Sequence, residues 1–354
     1  MDLKTLGWNQ NFEQHFAAYS DPTYIVGRVT LEHKRIYRVM TEGGELLAEI
    51  SGKMRYQAFD REDYPAIGDW VVMQPRWEEQ KATIHAILPR QSKFSRKAAG
   101  NALEEQIVAA NVNTVFLVNA LNLDFNLRRI ERYLLVTWES GANPVIVLSK
   151  ADLCEDIESK IAEVESIALG VPIYAISTFA HQGLEQLLPY VQTGQTVALL
   201  GSSGVGKSSL VNALSKEQLQ IVQEVRSGDD RGKHTTTHRE LFLLPSGGLM
   251  IDTPGMRELQ LWDSNEGLAD TFKDIEELAE RCRFYDCRHT TEPGCAIKAA
   301  LEEGTLTDKR YQNYVKLQRE LAFLARKENR QAQAAEKNRW KQINKSLRDA
   351  PKKR

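Results

Sequence analysis

The chain has 354 residues, 42% hydrophobic and 27% charged, with a net charge of −2. That composition belongs to globular proteins and excludes a disordered or fibrous chain, and no apolar run approaches the length of a membrane span. The start, Met1-Asp2-Leu3-Lys4, lacks a basic region followed by an apolar stretch, so a cytoplasmic protein with no membrane partner is expected.

Residues 1–19 read as an arm with helical propensity and aromatic anchors. From Tyr24 to about Pro89 short alternating runs such as Tyr24–Val29, Arg35–Val39 and Asp69–Met73 are broken by turns, with Gly43-Gly44 at one of them. Several short strands in so short a stretch predict a small barrel of the OB type, over residues 20–92. Pro89 to Gly100, with Arg90, Lys93, Arg96 and Lys97, reads as an exposed basic connector.

From Val112 onward the period changes. Strands are expected over Val112–Leu121, Pro144–Leu148, Pro172–Ile176 and Thr196–Leu200. Helices are expected over Leu127–Glu139, Ile157–Leu169, Gly183–Val191 and from Lys207 to Leu214. Such alternation predicts a parallel sheet with helices on both faces, within a domain over residues 98–262. Beyond it the chain turns helical, over Leu268–Arg281 and from Asp308 to about Leu347. Residues 326–354 carry 11 Lys/Arg against 3 Asp/Glu, about +8, which leaves −10 on the rest. A basic tail on an acidic body fits an anionic partner such as RNA.

The strand ending at Leu200 runs into Gly201-Ser202-Ser203-Gly204-Val205-Gly206-Lys207-Ser208-Ser209, a phosphate-binding loop opening a helix. Its glycines let backbone N–H groups converge on a phosphate, Lys207 is placed to bridge β- and γ-oxygens, and the Ser208 hydroxyl is a Mg²⁺ ligand. About fifty residues on, Asp252-Thr253-Pro254-Gly255 ends an apolar strand. Asp252 can hold the Mg²⁺ shell and the Gly255 N–H can sense the γ-phosphate. Between them, Arg231-Gly232-Lys233-His234-Thr235-Thr236-Thr237 offers a further Mg²⁺ ligand, Thr235 or Thr236, which the sequence does not separate.

Two elements upstream favour guanine over adenine. Ser149-Lys150-Ala151-Asp152 follows a buried strand and resembles the N-K-x-D element of GTPases. Its aspartate would accept two hydrogen bonds from guanine while Lys150 packs over the base. Such a pair discriminates by about 10⁴ when the wrong partner leaves it unpaired. Ser149 stands where the element has Asn, so the amide that ties neighbouring loops together is expected to be lost. Ser177-Thr178 resembles the S-A element on the other edge of the base. An ATP-using enzyme acting on a small molecule is the rival that Asp152 disfavours.

Both base elements precede the phosphate loop, so the order of motifs is circularly permuted. Cys282-x4-Cys287-x-His289-x5-Cys295 then supplies three thiolates and an imidazole, a closed tetrahedral set for structural Zn²⁺. The expected fold is multidomain α/β: an OB-like β-barrel, a circularly permuted P-loop GTPase domain, and a helical zinc-binding domain with a basic helix over residues 268–354.

A permuted GTPase after an OB-like barrel and before this cluster resembles the ribosome-small-subunit-dependent GTPase A family (RsgA). The likeness runs from about Tyr24 to the tail. It implies a monomer that binds the 30S subunit and 16S rRNA, assists late maturation, and hydrolyses GTP to GDP when stimulated by the subunit. The position after D-x-x-G is Met256, which cannot orient a water. His234 is the candidate for that role, with Lys207 and Gly255 as the other catalytic groups, and slow unstimulated turnover is expected.

Overall fold

A computed structural model describes residues 2–97, 105–215, 240–252, 265–323 and 326. The chain forms two compact units, the first holding the described residues up to Asp252 and the second those from Asn265 onward.

In the first unit, helix α1 (Gln10–Phe16) starts at Asn9, whose side chain accepts from the Asn11 and Phe12 N–H groups. Strands β1 (Ile25–His33), β2 (Ile36–Thr41), β3 (Gly44–Ile50), β4 (Trp70–Arg76) and β5 (Lys81–Ile87) follow, with a short helix α2 (Gly52–Gln57) after β3. They pair in the order β1-β2-β3-β5-β4, and β4 returns to β1, closing a five-stranded barrel. The alternation in the sequence has this cause: Val29, Tyr37, Val39, Leu46, Ala48, Val71, Met73 and Ile84 point into one core. At α1 the arm lays Trp8 and Phe12 against Trp70, with ring centroids 4.7 and 5.9 Å away.

The basic stretch after Pro89 departs from expectation. Lys93–Lys97 is a strand, β6, paired antiparallel with β7 (Glu105–Ala110). Phe94 is buried, and Arg90 binds the fully buried Asp69 with both nitrogens at 2.8 Å while donating to the Glu62 and Tyr64 carbonyls. A charge that looked solvated is therefore the counter-ion of a buried carboxylate, which would be costly unpaired.

The central sheet is built from β8 (Thr114–Ala120), β9 (Asn143–Ser149), β10 (Ile173–Ala175), β11 (Thr196–Leu200), β12 (Glu240–Leu243) and β13 (Leu249–Asp252). Its order is β10-β9-β8-β11-β13-β12, parallel except for the antiparallel β12, which meets β1 at Leu31–Glu240. Helices α3 (Leu127–Ser140), α4 (Ile157–Glu165) and α5 (Lys207–Ser215) connect or follow strands. All seven residues of β8 are buried, so both faces are covered. On one face α5, with Leu187 and Val191, packs on Phe116, Val118 and Val197. On the other, α3 packs on β8 and β9. The helix expected over Gly183–Val191 is present as a 3-10 helix at Leu184–Val191, with Pro189 inside it removing a backbone donor.

Arg28 joins these parts. It is 1% exposed and donates to the carbonyls of Leu6 in the arm, Gly68 in the barrel and Asn111 before β8, and to the Thr196 hydroxyl at the start of β11. Burial lowers its pKa to about 9 against the pull of Asp69, so it remains charged at neutral pH.

The second unit is helical: α6 (Asn265–Thr271), α7 (Lys273–Glu280), α8 (Ala296–Glu302), and residues 308–323. The single helix expected over Leu268–Arg281 breaks at Phe272, which is fully buried. The Arg310 guanidinium lies 4.9 Å from that ring and grips Asp274 at 2.7 and 2.8 Å. Among the described residues, no helix is long and apolar enough to cross a membrane.

Candidate nucleotide site and metal cluster

The phosphate loop sits between β11 and α5, at the carboxyl ends of the parallel strands, where open α/β sheets bind ligands. At Gly201 a Cβ would lie 2.4 Å from the Val118 carbonyl, so only glycine lets the loop leave the sheet this closely. Gly204 and Gly206 adopt φ of 76° and 96°, which L side chains rarely tolerate. Val205 is buried and anchors the loop, while Ser203, Ser208 and Ser209 are half-buried. The Lys207 ammonium donates to the carbonyls of Gly201 at 2.7 Å and Ser202 at 2.6 Å, so it is held against the loop it serves.

The two base elements meet beside it. Lys150, at φ 57°, turns the chain out of β9 into a 3-10 turn that carries Asp152. The buried Ser177 hydroxyl donates to Asp152 Oδ1 at 2.5 Å, and the Ala151 N–H donates to the Ile176 carbonyl at 3.0 Å. Asp152 is thereby held in one orientation by the protein itself, and Thr178, next after Ser177, is half-buried. The tie expected to be lost at Ser149 is present in another form. Its hydroxyl, on a side chain buried at the end of β9, donates to the Val205 carbonyl at 2.6 Å. A serine reaches because β9 and the phosphate loop already lie close together. Among the described residues, the buried Asn119 Oδ1 has no hydrogen-bond partner.

Strand β13 runs parallel beside β11, with Ala198 opposite Ile251, which brings the backbone of Asp252 to the same edge of the sheet. His234, Thr235, Thr236 and Gly255 lie outside the described residues. Two residues that the motifs did not flag also reach the loop. Arg129, in the first turn of α3, donates to the Ser202 hydroxyl at 2.8 Å and to Asp124 at 2.6 Å. The only sequence sign of this was Asn126, whose side chain caps α3 and so places Arg129 in its first turn.

In the second unit Cys282, Cys287, His289 and Cys295 present four ligand atoms within 4.8 Å of one another. The Cys282 sulfur is 3.9 Å from that of Cys295 and 3.6 Å from His289 Nδ1, and the Cys295 sulfur is 3.5 Å from the same nitrogen. A tetrahedral zinc with bonds of about 2.3 Å to sulfur and about 2.05 Å to nitrogen spaces its ligands about 3.8 and 3.6 Å apart. The residues therefore fit that ion. Glu292 fixes the intervening loop, accepting from the N–H groups of Arg288, Thr290 and Thr291. The hydrogen bond from its own N–H, followed by those from Thr290, Arg288 and Thr291, pushes its carboxyl down to about 2.

Comparison with known proteins bears directly on this arrangement. The family model for the RsgA GTPase matches residues 87–262. The small ribosomal subunit biogenesis GTPase RsgA 1 of Oceanobacillus iheyensis is 47% identical over 338 residues, covering 94% of this chain and 96% of that protein. The chain belongs to the RsgA GTPase family. It is thus a GTP hydrolase with a permuted order of motifs. The crystal structure of YjeQ from Thermotoga maritima shares 30% identity, with a TM-score of 0.63 over 85% of this chain and 99% of that one. YloQ, described as a circularly permuted GTPase, shares 26% identity, with a TM-score of 0.62 over 87% and 98%. A model for an ABC transporter also matches residues 184–348. That stretch contains the phosphate loop common to nucleotide hydrolases of both kinds, whereas Asp152 and Ser177 lie upstream of it.

Proposed function

We propose that this GTPase docks on the 30S ribosomal subunit, assists its late maturation, and hydrolyses GTP to GDP and phosphate faster when docked. The supporting observation is the site itself. Asp152, oriented by Ser177 and joined through Ser149 to the phosphate loop, makes one continuous cradle for a guanine nucleotide. The names of its relatives supply the subunit as the partner.

In this reading the loop from Gly201 to Gly206 presents backbone N–H groups to the phosphates, and Lys207 neutralises charge on the β- and γ-oxygens. Asp152 and the Thr178 N–H read the base, Lys150 packs over it, and Ser149 holds the two halves of the cradle together. Ser208, Asp252 and one of Thr235 and Thr236 are the residues that would hold Mg²⁺, which supplies charge neutralisation at the phosphates when bound. His234 orients the attacking water on the docked enzyme, and the Gly255 N–H senses the γ-phosphate. One structural zinc on Cys282, Cys287, His289 and Cys295 has no open position for chemistry.

The protein acts as a cytoplasmic monomer of three domains, over residues 20–92, 98–262 and 268–354. Its 16S rRNA contacts are the barrel and the basic tail. On the barrel, Tyr56 and Phe59 are about nine-tenths exposed and share one short stretch with Lys53, Arg55 and Arg61, which offers base stacking beside phosphate pairing. The deciding experiment is GTP turnover titrated with purified 30S, 50S and 70S particles. Stimulation by 30S is expected, and equal rates with all three particles and with none would overturn the assignment.

A further inference from the structure

Asp124 and Arg129 belong to none of the motifs, yet they act on the phosphate loop from the side. The loop after β8 and the first turn of α3 carry them, and α3 is fixed by burial of Ile130, Leu134 and Leu135. Three hydrogen bonds close a triangle: Arg129 Nη1 to Asp124 Oδ2 at 2.6 Å, Arg129 Nη1 to Ser202 Oγ at 2.8 Å, and Ser202 Oγ to Asp124 Oδ2 at 2.6 Å. Burial alone would raise the Asp124 carboxyl. Hydrogen bonds from Arg129 and Ser202, with the charges of Arg129 and Lys150, outweigh it and hold the group ionised below the usual range.

Ser202 is where this triangle meets the catalytic lysine. Its hydroxyl is held by the pair, and its carbonyl accepts from the Lys207 ammonium at 2.6 Å. We propose that Asp124 and Arg129 are positioning residues for GTP hydrolysis: by holding the Ser202 side chain they orient the Ser202 carbonyl, and through it the ammonium of Lys207. The proposal rests on Lys207 as the phosphate-binding lysine.

The consequences divide between binding and turnover. Ground-state affinity is spread over the backbone donors of the loop, the Asp152 carboxylate and the base contacts, so a small shift of one ammonium changes it little. The transition state gathers charge on the transferring phosphoryl oxygens, and stabilisation there depends on a cation already in place. A loosened triangle therefore lowers the rate more than the affinity. A merely structural ion pair would do neither: Asp124 and Arg129 are 40% and 27% exposed, and pairs at that exposure add little stability.

The test compares wild type, Ser202→Ala, Arg129→Ala and the double variant in the full-length protein. Single-turnover GTP hydrolysis and the affinity for a fluorescent GTP analogue are measured for each. Ser202→Ala, which removes one oxygen, is expected to slow hydrolysis about tenfold and to change affinity less than about threefold. Arg129→Ala should do the same, and the double variant should be no slower than the slower single one, because both break one chain of contacts. Ser202→Ala hydrolysing at the wild-type rate overturns the proposal, as do losses that multiply in the double variant. A wild-type protein that binds GTP and never hydrolyses it would instead overturn the assignment of Lys207 on which the proposal stands.

Discussion

The two units hold themselves together by different means. The first surrounds a sheet that has eleven strands among the described residues, and these bury apolar side chains on both faces of the central part and inside the barrel. Its buried polar groups, Arg28 and the Asp69–Arg90 pair, join elements that are already packed. The second unit is helical, and its described buried apolar residues include Phe272, Ile275, Ile297 and Leu317. The same unit carries four convergent ligands that fit a metal ion, and an ion bound there would cross-link its loops. The contrast predicts that the first unit is vulnerable to an unpaired buried charge and the second to removal of the ion that its four ligands fit.

Metal removal is the strongest way to break this contrast. Structural zinc contributes roughly 10 kcal/mol of folding free energy in small domains, so a chelator or Cys295→Ser should melt the helices of the second unit. Far-UV circular dichroism reads that loss, while GDP affinity, a property of the first unit, is expected to persist. Helices that survive chelation intact would show that the apolar set around Phe272 suffices.

The next effect falls on Arg28. Arg28→Met keeps the bulk but strands three carbonyls and the Thr196 hydroxyl, which lose a charged donor. About 4 kcal/mol of destabilisation is expected, read as a lower urea midpoint of the first unit. Arg90→Ala should cost somewhat less, about 3 kcal/mol, since Asp69 keeps the Ala66 N–H at 2.7 Å when its counter-ion is gone. Arg90→Lys should recover only part of this, because an ammonium cannot reproduce the two-pronged contact. Destabilisation of either variant below 1 kcal/mol would show that water reaches these groups.

Much of this was legible in the sequence, for identifiable reasons. Alternation exposed the barrel strands because one face of each is buried, and fixed spacing exposed the phosphate loop and the zinc ligands because their geometry is local. What escaped was tertiary. Arg90 stands among Lys93, Arg96 and Lys97 and reads as a solvated charge; only the folded chain brings Asp69 to it. Asp124 and Arg129 carry no motif, since their partner Ser202 lies more than seventy residues away. The break at Phe272 follows from burial of that ring, which no helical periodicity announces. At Ser149 the sequence shows that an amide is missing, but not that a hydroxyl still links β9 to Val205, because its reach depends on how near the loop passes.

Ser149 gives the smallest effect and the finest test of how the first unit holds its ligand. Ser149→Ala removes the donor to the Val205 carbonyl, so one neutral hydrogen bond between the base element and the phosphate loop is lost. That is worth about 1 kcal/mol, or roughly fivefold in GDP affinity. Ser149→Asn tests the same link in the other direction. An amide carries two N–H groups where the hydroxyl has a single O–H, and the Asn119 main-chain carbonyl, 3.3 Å from Ser149 Oγ, offers a second acceptor beside that of Val205. One N–H can keep Val205 while the second reaches Asn119, so the Asn variant should bind GDP a few-fold more tightly than wild type. Stopped-flow release of a fluorescent GDP analogue separates the three proteins, with the order Ala fastest, Ser intermediate and Asn slowest. If Asn releases nucleotide as fast as Ala, the space at the end of β9 fits only a hydroxyl, and the link between base and phosphate is set by packing rather than by the number of donors.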